Sequence, residues 1–401
     1  MEVFDGFTPF VSQIYQIGPR YKTLIQVYIK NLDQIGALLP QEEVGELKSK
    51  IFEVLKQEFN DLEVSEIFSY NNMFYCFVND EHPDHVRSSS TRTHNGLIND
   101  GSTKMFPDLR IVAIKIPQSP DYYKLIKILS DQTYYMNVNF IFHWIENPEQ
   151  LLHDLKEDYN DLFELRKSVL DQTACFAFQP IIKCNTGEIA YHECLLRLNN
   201  HDHKLISAGS YIMLAEKYGY ITSVDRYVFD MTMLELKSAH DIQLSVNISN
   251  IGVQDKSLVN YIEKLIVKAD VGQRMIIEIT ETAMNDSYEQ TKYFVEAMKS
   301  IGCKIALDDF GAGYTSFNQM RCFPVDIIKI DGSFIRNITT NGKNKILVEA
   351  LIKTAEELGC KTVAEFVENG AIAKQLIELK VDYMQGNFFS PALNYRSWEK
   401  N

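Results

Sequence analysis

From residue 175 onward, short apolar runs recur eight times: FAFQPII, EIAYHECLLRL, IQLSVNI, RMIIEIT, KIALDDF, VDIIKID, KTVAEFV and DYMQGNF. Most are separated by amphipathic stretches of helical character, such as QTKYFVEAMKSIG and KILVEALIKTAEELG. Eight strands with intervening helices over about 225 residues is the arithmetic of a TIM-like (β/α)8 barrel. Only the polar turn KCNTGE separates the first two runs, which leaves no room for a helix. They are therefore expected to pair as an antiparallel hairpin, which makes the barrel an irregular one.

The composition changes near residue 170, and a length of 401 residues suits two domains. The reading is a smaller α/β domain over 1–170 and the barrel over 171–401. The first part carries TLIQVYIKNL as a strand, EEVGELKSKIFEVLKQEF as a helix, and the pair EVSEIFSYNN and MFYCFVND as a hairpin. LRIVAIKIP, YYKLIKIL and MNVNFIFHW follow as strand, helix and strand, and then an acidic helix over roughly 147–170. The polar, Ser/Thr-rich stretch 80–108 reads as a long loop or a partly disordered insertion.

Hydrophobic residues make up 45% of the chain, ample for two cores, and the net charge of −14 disfavours a partner held through a nucleic-acid backbone. A small phosphate-bearing ligand held through metal ions stays compatible with it. The seven cysteines are scattered and form no C-x-x-C pair, which fits a reducing cytoplasm with buried thiols. There is no apolar run long enough for a transmembrane segment and no basic-then-apolar leader, so the expectation is a soluble, unexported protein.

In barrels of this kind, chemistry collects at the C-terminal ends of the strands. Those ends carry Glu193 or Arg197, Asn247, Glu278, Asp308 with Asp309, Lys329, Glu365 and Gln385. Taken singly, each has a plain structural account. A strand-end carboxylate often caps the next helix, Asn247 suits a turn, and Lys329 suits a solvated end. Taken together they meet at one mouth. The carboxylates of Glu193, Glu278, Asp308 and Asp309 cannot converge there without cations, and one lysine is not enough. Oxygen ligands with no Cys or His in the motifs suit a hard cation such as Mg²⁺ or Mn²⁺. Asp308 and Asp309 are most simply ligands between two metals, which two-metal hydrolases hold about 3.5–4 Å apart. The loop Gly311-Ala312-Gly313 lets the backbone turn away sharply.

Over roughly 172–395 the chain resembles the EAL-domain phosphodiesterases, which hydrolyse the bacterial second messenger cyclic di-GMP. FQPII matches the opening strand with Gln179. ECLLRL stands at the name motif, where Cys194 replaces the alanine and the frame of Glu193, Leu195 and Arg197 survives. SVNIS supplies Asn247, IEITET supplies Glu278, and DDFGAGYTSF matches the metal-binding and lid loop with Ala312 and Thr315 as departures. IIKID supplies Lys329, AEFVEN supplies Glu365 and Glu368, and QGNFFS supplies Gln385. The resemblance implies two divalent ions, Mg²⁺ or Mn²⁺. Glu193, Asn247, Glu278 and Asp308 would hold the first, and Asp308 and Asp309 the second. It implies that Lys329 orients or polarises the attacking water and that Glu365 is its base or a ligand through water. Arg197 would meet a substrate phosphate. Gln179, Leu195 and Gln385 would line the substrate site, and Glu281 would anchor the loop after Asp309. The implied product is linear pGpG, and the implied assembly is a homodimer through the EAL domain. The alternatives are a catalytically silent cyclic di-GMP receptor acting through protein partners, and hydrolysis of another cyclic nucleotide.

The first 170 residues resemble the GGDEF domain in the order of strand, helix and strand-turn-strand. Tyr70-Asn71-Asn72-Met73-Phe74 stands where the signature would be, and Tyr28 stands near the place of a metal-binding aspartate. Without the glycines and the acidic pair, the implied role is regulation, with no synthesis of cyclic di-GMP.

Overall fold

The computed structural model describes residues 2–3, 7–62, 66–70, 72–99, 107–136, 140–199, 204–311 and 323–399. The chain divides into two compact units, Met1–Glu157 and Asp158–Asn401. The division falls inside one helix, Pro148–Leu170. Leu151 and Leu152 at its start pack into the core of the first unit. Leu165 and Val169 near its end are buried in a cluster of the second.

The first unit is built on strands β1 (Glu2–Val3), β2 (Thr23–Ile29), β3 (Glu66–Tyr70), β4 (Met73–Val78), β5 (Leu109–Lys115) and β6 (Phe142–Ile145). Their order in the sheet is β1-β3-β4-β2-β5-β6. The expected hairpin is β3–β4, and the expected helix spans Gln41–Glu58. A helix over Phe7–Ile17 precedes β2 and buries Phe10 and Ile14 against the sheet. Of the MNVNFIFHW run, Phe142–Ile145 is strand; residues 137–139 lie outside the described ones.

The expectation of a loop over 80–108 is corrected: Pro83–Asn99 is a helix. Its buried face is made by Val86, Ser90, Thr93 and Leu97. The hydroxyls do not compete with the helix, because they return their protons to it. Ser90 donates to the Val86 carbonyl at 2.7 Å and Thr93 to that of Ser89 at 2.9 Å, so small polar side chains are buried satisfied. Pro83 opens the helix where no N–H is needed, and Asp84 lies in its positive first turn. Residues 100–106 of that stretch lie outside the described ones.

The second unit is a closed barrel of the eight strands that the apolar runs predict. They are β7 (Cys175–Lys183), β8 (Ile189–Asn199), β10 (Leu244–Asn247), β11 (Met275–Thr280), β12 (Lys304–Phe310), β13 (Ile327–Ile330), β14 (Lys361–Ala364) and β15 (Tyr383–Met384), with the short β9 (Leu205–Ser207) appended to β8. β7 runs antiparallel to both β8 and β15, and β8 closes the ring against β10 in parallel. Helices cover the outside, and the core between strands and helices is built from residues such as Phe229, Leu244, Ile262, Ile277, Phe294 and Ile305.

Candidate active site

The strand ends of the barrel place their polar side chains around one ammonium group. Lys329 on β13 is 1% exposed, and its Nζ lies 2.6 Å from Glu278 Oε2, 2.9 Å from Asp308 Oδ1, 2.9 Å from Glu365 Oε1 and 3.8 Å from Glu193 Oε2. Burial alone would lower its pKa. The surrounding carboxylates, Asp308 first, outweigh that and hold its pKa well above the ordinary lysine value. Lys329 is thus the centre of the cluster and not a solvated strand end.

Glu193 is held from both sides. Asn247 Nδ2 donates to its Oε1 at 3.0 Å and Gln385 Nε2 to its Oε2 at 2.6 Å. Gln385 Nε2 also reaches Gln179 Oε1 at 3.1 Å, and Gln179 donates to the Ser390 carbonyl. The opposite pairing of Gln179 and Glu193 follows from the β7–β8 hairpin register. Because the Asn247 amide nitrogen faces Glu193, its oxygen is left to accept or to ligate.

Adjacent residues on a regular strand point to opposite faces, so two consecutive aspartates cannot ordinarily serve one site. Here the β12–β13 register shifts between Leu307 and Phe310, and Asp309 has φ +54°. This irregularity, in a residue type that tolerates the left-handed region, turns both carboxylates to one place. Oxygens of Asp308, Asp309 and Glu365 all lie within 4.8 Å of one another. Two residues on, Gly311 has φ +98°, and an added Cβ would lie 2.9 Å from the Phe334 ring. Its N–H donates to Glu281 Oε2 at 3.1 Å, so Glu281, buried at the start of the helix Glu281–Asp286, tethers the exit from β12. The lid loop beyond it, including Ala312, Gly313 and Thr315, lies outside the described residues.

Helix capping does not explain these side chains. The helices after β10, β11, β13 and β14 are capped by Ser249, Thr280, Asp331 and Asn369. Asn247, Glu278, Lys329 and Glu365 are left for the mouth. Glu368 stands apart, exposed and 3.8 Å from Arg336. Arg197 and Leu195 line a cleft of about 430 Å³ beside Asn247, Ser249 and Asp225. Arg197 donates to the Leu196 carbonyl and makes no salt bridge among the described residues, so its guanidinium is open to an anion.

The oxygen set fits a divalent cation. Five carboxylates face one lysine. Glu278 Oε1 is buried with no hydrogen-bond partner, and so is Gln385 Oε1. Burial first, then the charge of Glu193, pushes the Glu278 carboxyl above the usual range against the pull of Lys329; burial does the same to Glu365. Asp309 is raised by burial and by Asp308. A hard cation among these oxygens would reverse all three shifts and give the unpartnered oxygen a ligand role.

Asp225 carries no signal in the sequence, because it sits inside the helix Ile221–Ser238. It is buried, accepts from Ser249 N at 3.2 Å and Ser249 Oγ at 2.6 Å, and burial pushes its pKa up to about 7.

Residues 163–392 match the EAL domain family. The chain is 30% identical over 269 residues to the cyclic di-GMP phosphodiesterase PdeA of Borreliella burgdorferi, covering 66% of this chain and 40% of that protein. It is 31% identical over 243 residues to the cyclic di-GMP phosphodiesterase PdeF of Escherichia coli, covering 59% of this chain and 32% of that protein. The matched part thus spans well under half the length of either relative. The solved structure of the PaMucR phosphodiesterase in complex with c-di-GMP superimposes with a TM-score of 0.55 at 27% identity, covering 58% of this chain and 97% of that one.

Proposed function

The chain belongs to the EAL-domain family, and from that premise we propose that it hydrolyses cyclic di-GMP to linear pGpG. The observation that carries this reading is the barrel mouth, where Lys329 binds four carboxylates while oxygens of Asp308, Asp309 and Glu365 gather within 4.8 Å. Glu193, Asn247, Glu278 and Asp308 would hold one divalent ion, Mg²⁺ or Mn²⁺, and Asp308 and Asp309 a second, with Glu365 beside it. Ions bound there would neutralise the carboxylates and acidify a water near neutral pH.

The remaining roles fall to the chain's own side chains. Lys329 would orient the attacking water and Glu365 would take its proton. Arg197, with Leu195 in the cleft, would hold a phosphate through its forked guanidinium. Gln385 and Gln179 would keep Glu193 aimed, and Glu281 would fix the exit from β12. The water oxygen would bond to one phosphorus as a P–O bond to ribose breaks, the released ribose oxygen would take up a proton, and the linear dinucleotide would leave. A cytoplasmic homodimer through the barrel belongs to the same reading, and the exposed Ile346 and Leu347 offer such a contact an apolar surface.

The test is incubation of the purified protein with cyclic di-GMP and Mg²⁺ or Mn²⁺, with products separated by chromatography. Excess EDTA should stop pGpG formation. Glu193→Ala or Asp308→Ala should lower the rate by about 10³-fold or more with no loss of melting temperature, since each removes a repelling charge. Full turnover in EDTA, or binding without hydrolysis, would refute the reading; the second result would mark a receptor.

We further infer that the first unit is a degenerate GGDEF-like regulatory domain. The order β2, helix Gln41–Glu58, hairpin β3–β4 supports it, as does Tyr28 facing Met73 across the ladder where acidic ligands would be needed. Incubation with GTP should yield no cyclic di-GMP; its appearance by mass spectrometry would overturn this part.

A further inference from the structure

Three of the strand ends, those of β12, β14 and β15, deliver site residues that are each followed by a residue at positive φ: Asp309 at +54° after Asp308, Phe366 at +52° after Glu365, and Gly386 at +159° after Gln385. Glycine enters that region freely and aspartate tolerates it, but a bulky aromatic residue is strained there. Burial does not explain the phenylalanine, because Phe366 is 46% exposed.

The neighbours of Phe366 are pinned. Glu365 N–H donates to the Ile330 carbonyl at 3.3 Å, and Val367 N–H donates to the Gln385 carbonyl at 2.9 Å, with Val367 fully buried. Only a sharp turn between them satisfies both bonds. The ring then lies on Gly332, where an added Cβ would come within 2.2 Å of its Cδ2. The Arg336 guanidinium stacks 4.3 Å from the ring centre. Gly332 begins the helix Gly332–Ile335 directly after β13, the strand of Lys329, and Arg336 is that helix's C-cap. The ring therefore ties the exit of the Lys329 strand to the exit of the Glu365 strand.

We propose that Phe366 is a positioning residue: its ring, clamped between Gly332 and Arg336, fixes the turn that aims the Glu365 carboxylate at Lys329 and at the Asp308–Asp309 pair. The proposal rests on the functional reading above for its kinetic consequence but not for its structural one. Phe366→Gly keeps the backbone conformation accessible and removes the strain while deleting the clamp. In the full-length protein this variant should melt at or above the wild-type temperature. Its kcat should fall about 10-fold or more with KM within twofold, and Mn²⁺ binding, read by electron paramagnetic resonance, should weaken by a similar factor, as for other groups that orient ligands. Phe366→Tyr, which retains the ring, should restore both, and Arg336→Ala should reproduce part of the loss. Wild-type kcat and Mn²⁺ binding in Phe366→Gly would overturn the proposal. So would a rise in KM alone, which would mean that the ring touches substrate, or a fall in melting temperature that matches the lost activity. If the wild-type protein hydrolyses no cyclic di-GMP, the functional reading fails, and the Mn²⁺ comparison still decides whether Phe366 positions Glu365.

Discussion

The two units bury polar groups in opposite ways. In the first, Gln26 is fully buried in mid-strand and closed off by Thr133 and Ser130 from one helix, while buried Arg110 is met by Asp108 and the Phe140 carbonyl. These are small, separate arrangements, with Arg110 Nε itself buried without a partner. In the barrel, five carboxylates and one lysine meet at one rim and a buried oxygen of Glu278 is left over. Strand topology explains part of this. An open sheet spreads its strand ends along a line, about 4.8 Å per strand, whereas closure brings eight ends around one mouth. What marks chemistry here is convergence, since strand-end charge occurs in both units.

The largest effect that would break this contrast is expected at its centre. Lys329→Met leaves four carboxylates without their shared cation, and breaking such a buried pair costs about 5 kcal/mol at pH 8. The loss should shrink at pH 5, where the raised carboxyls of Glu278 and Glu365 protonate and no longer need a counter-charge. Millimolar Mg²⁺ or Mn²⁺ should recover part of it, raising the melting temperature of the variant more than that of the wild type. A variant as stable as wild type without metal at pH 8 would mean that the cluster is solvated and the contrast superficial.

Much of the barrel was legible because its strands are buried on both faces and read as unbroken apolar runs. The polar side chains that end those runs therefore stood out, and every one assigned to the metal set lies at the mouth. What stayed hidden depends on distant contacts. The helix Pro83–Asn99 was missed because its buried face is half Ser and Thr, whose suitability shows only once their hydroxyls bond back to the helix. Asp225 looks like any helix-surface acid until Ser249 is seen against it. Phe366 gave no sign of a left-handed turn, because the residue that usually announces one is glycine. The irregularity that lets Asp308 and Asp309 share a site is likewise a property of the ladder and not of the letters.

The boundary between the units offers a second, smaller test. The reading from composition puts it at 170/171, whereas the compact units divide at 157/158. The segment between them carries Leu165 and Val169, both buried against barrel residues such as Leu198 and Ala215. A fragment beginning at Asp158 keeps that packing and one beginning at Asp171 exposes it. Losing two buried aliphatic side chains should cost about 4 kcal/mol, or roughly 10 °C in melting temperature for a unit of this size. Both fragments should still hydrolyse cyclic di-GMP at low temperature if the barrel alone holds the machinery. Equal melting temperatures would place the functional boundary at 170/171.

The smallest effect asks whether the contrast also holds inside the barrel. Asp225 is a buried charge outside the rim, closed by Ser249 in the manner of the first unit, with Gly252 approaching so closely that an added Cβ would meet its Oδ2 at 2.2 Å. Its pKa is raised to about 7, chiefly by burial and against the two Ser249 bonds, with the Glu216 charge adding to the rise. The folded state therefore holds the Asp225 proton more tightly than the unfolded chain, whose aspartates titrate at about 3.9. The stability tied to that proton is fully present below about pH 4 and is lost as pH rises through about 7. Glu278 and Glu365 titrate in an overlapping range, so the measurable quantity is the difference between proteins. Asp225→Asn cannot ionise and still offers Ser249 one acceptor. Relative to wild type it should gain about 2 kcal/mol between pH 5 and pH 8 in denaturant unfolding, with the carboxylates of the rim untouched. If wild type and Asp225→Asn show the same pH slope, Asp225 is charged in the fold at all working pH values, held by the two Ser249 bonds. The barrel would then bury isolated charge in a way that the first unit does not.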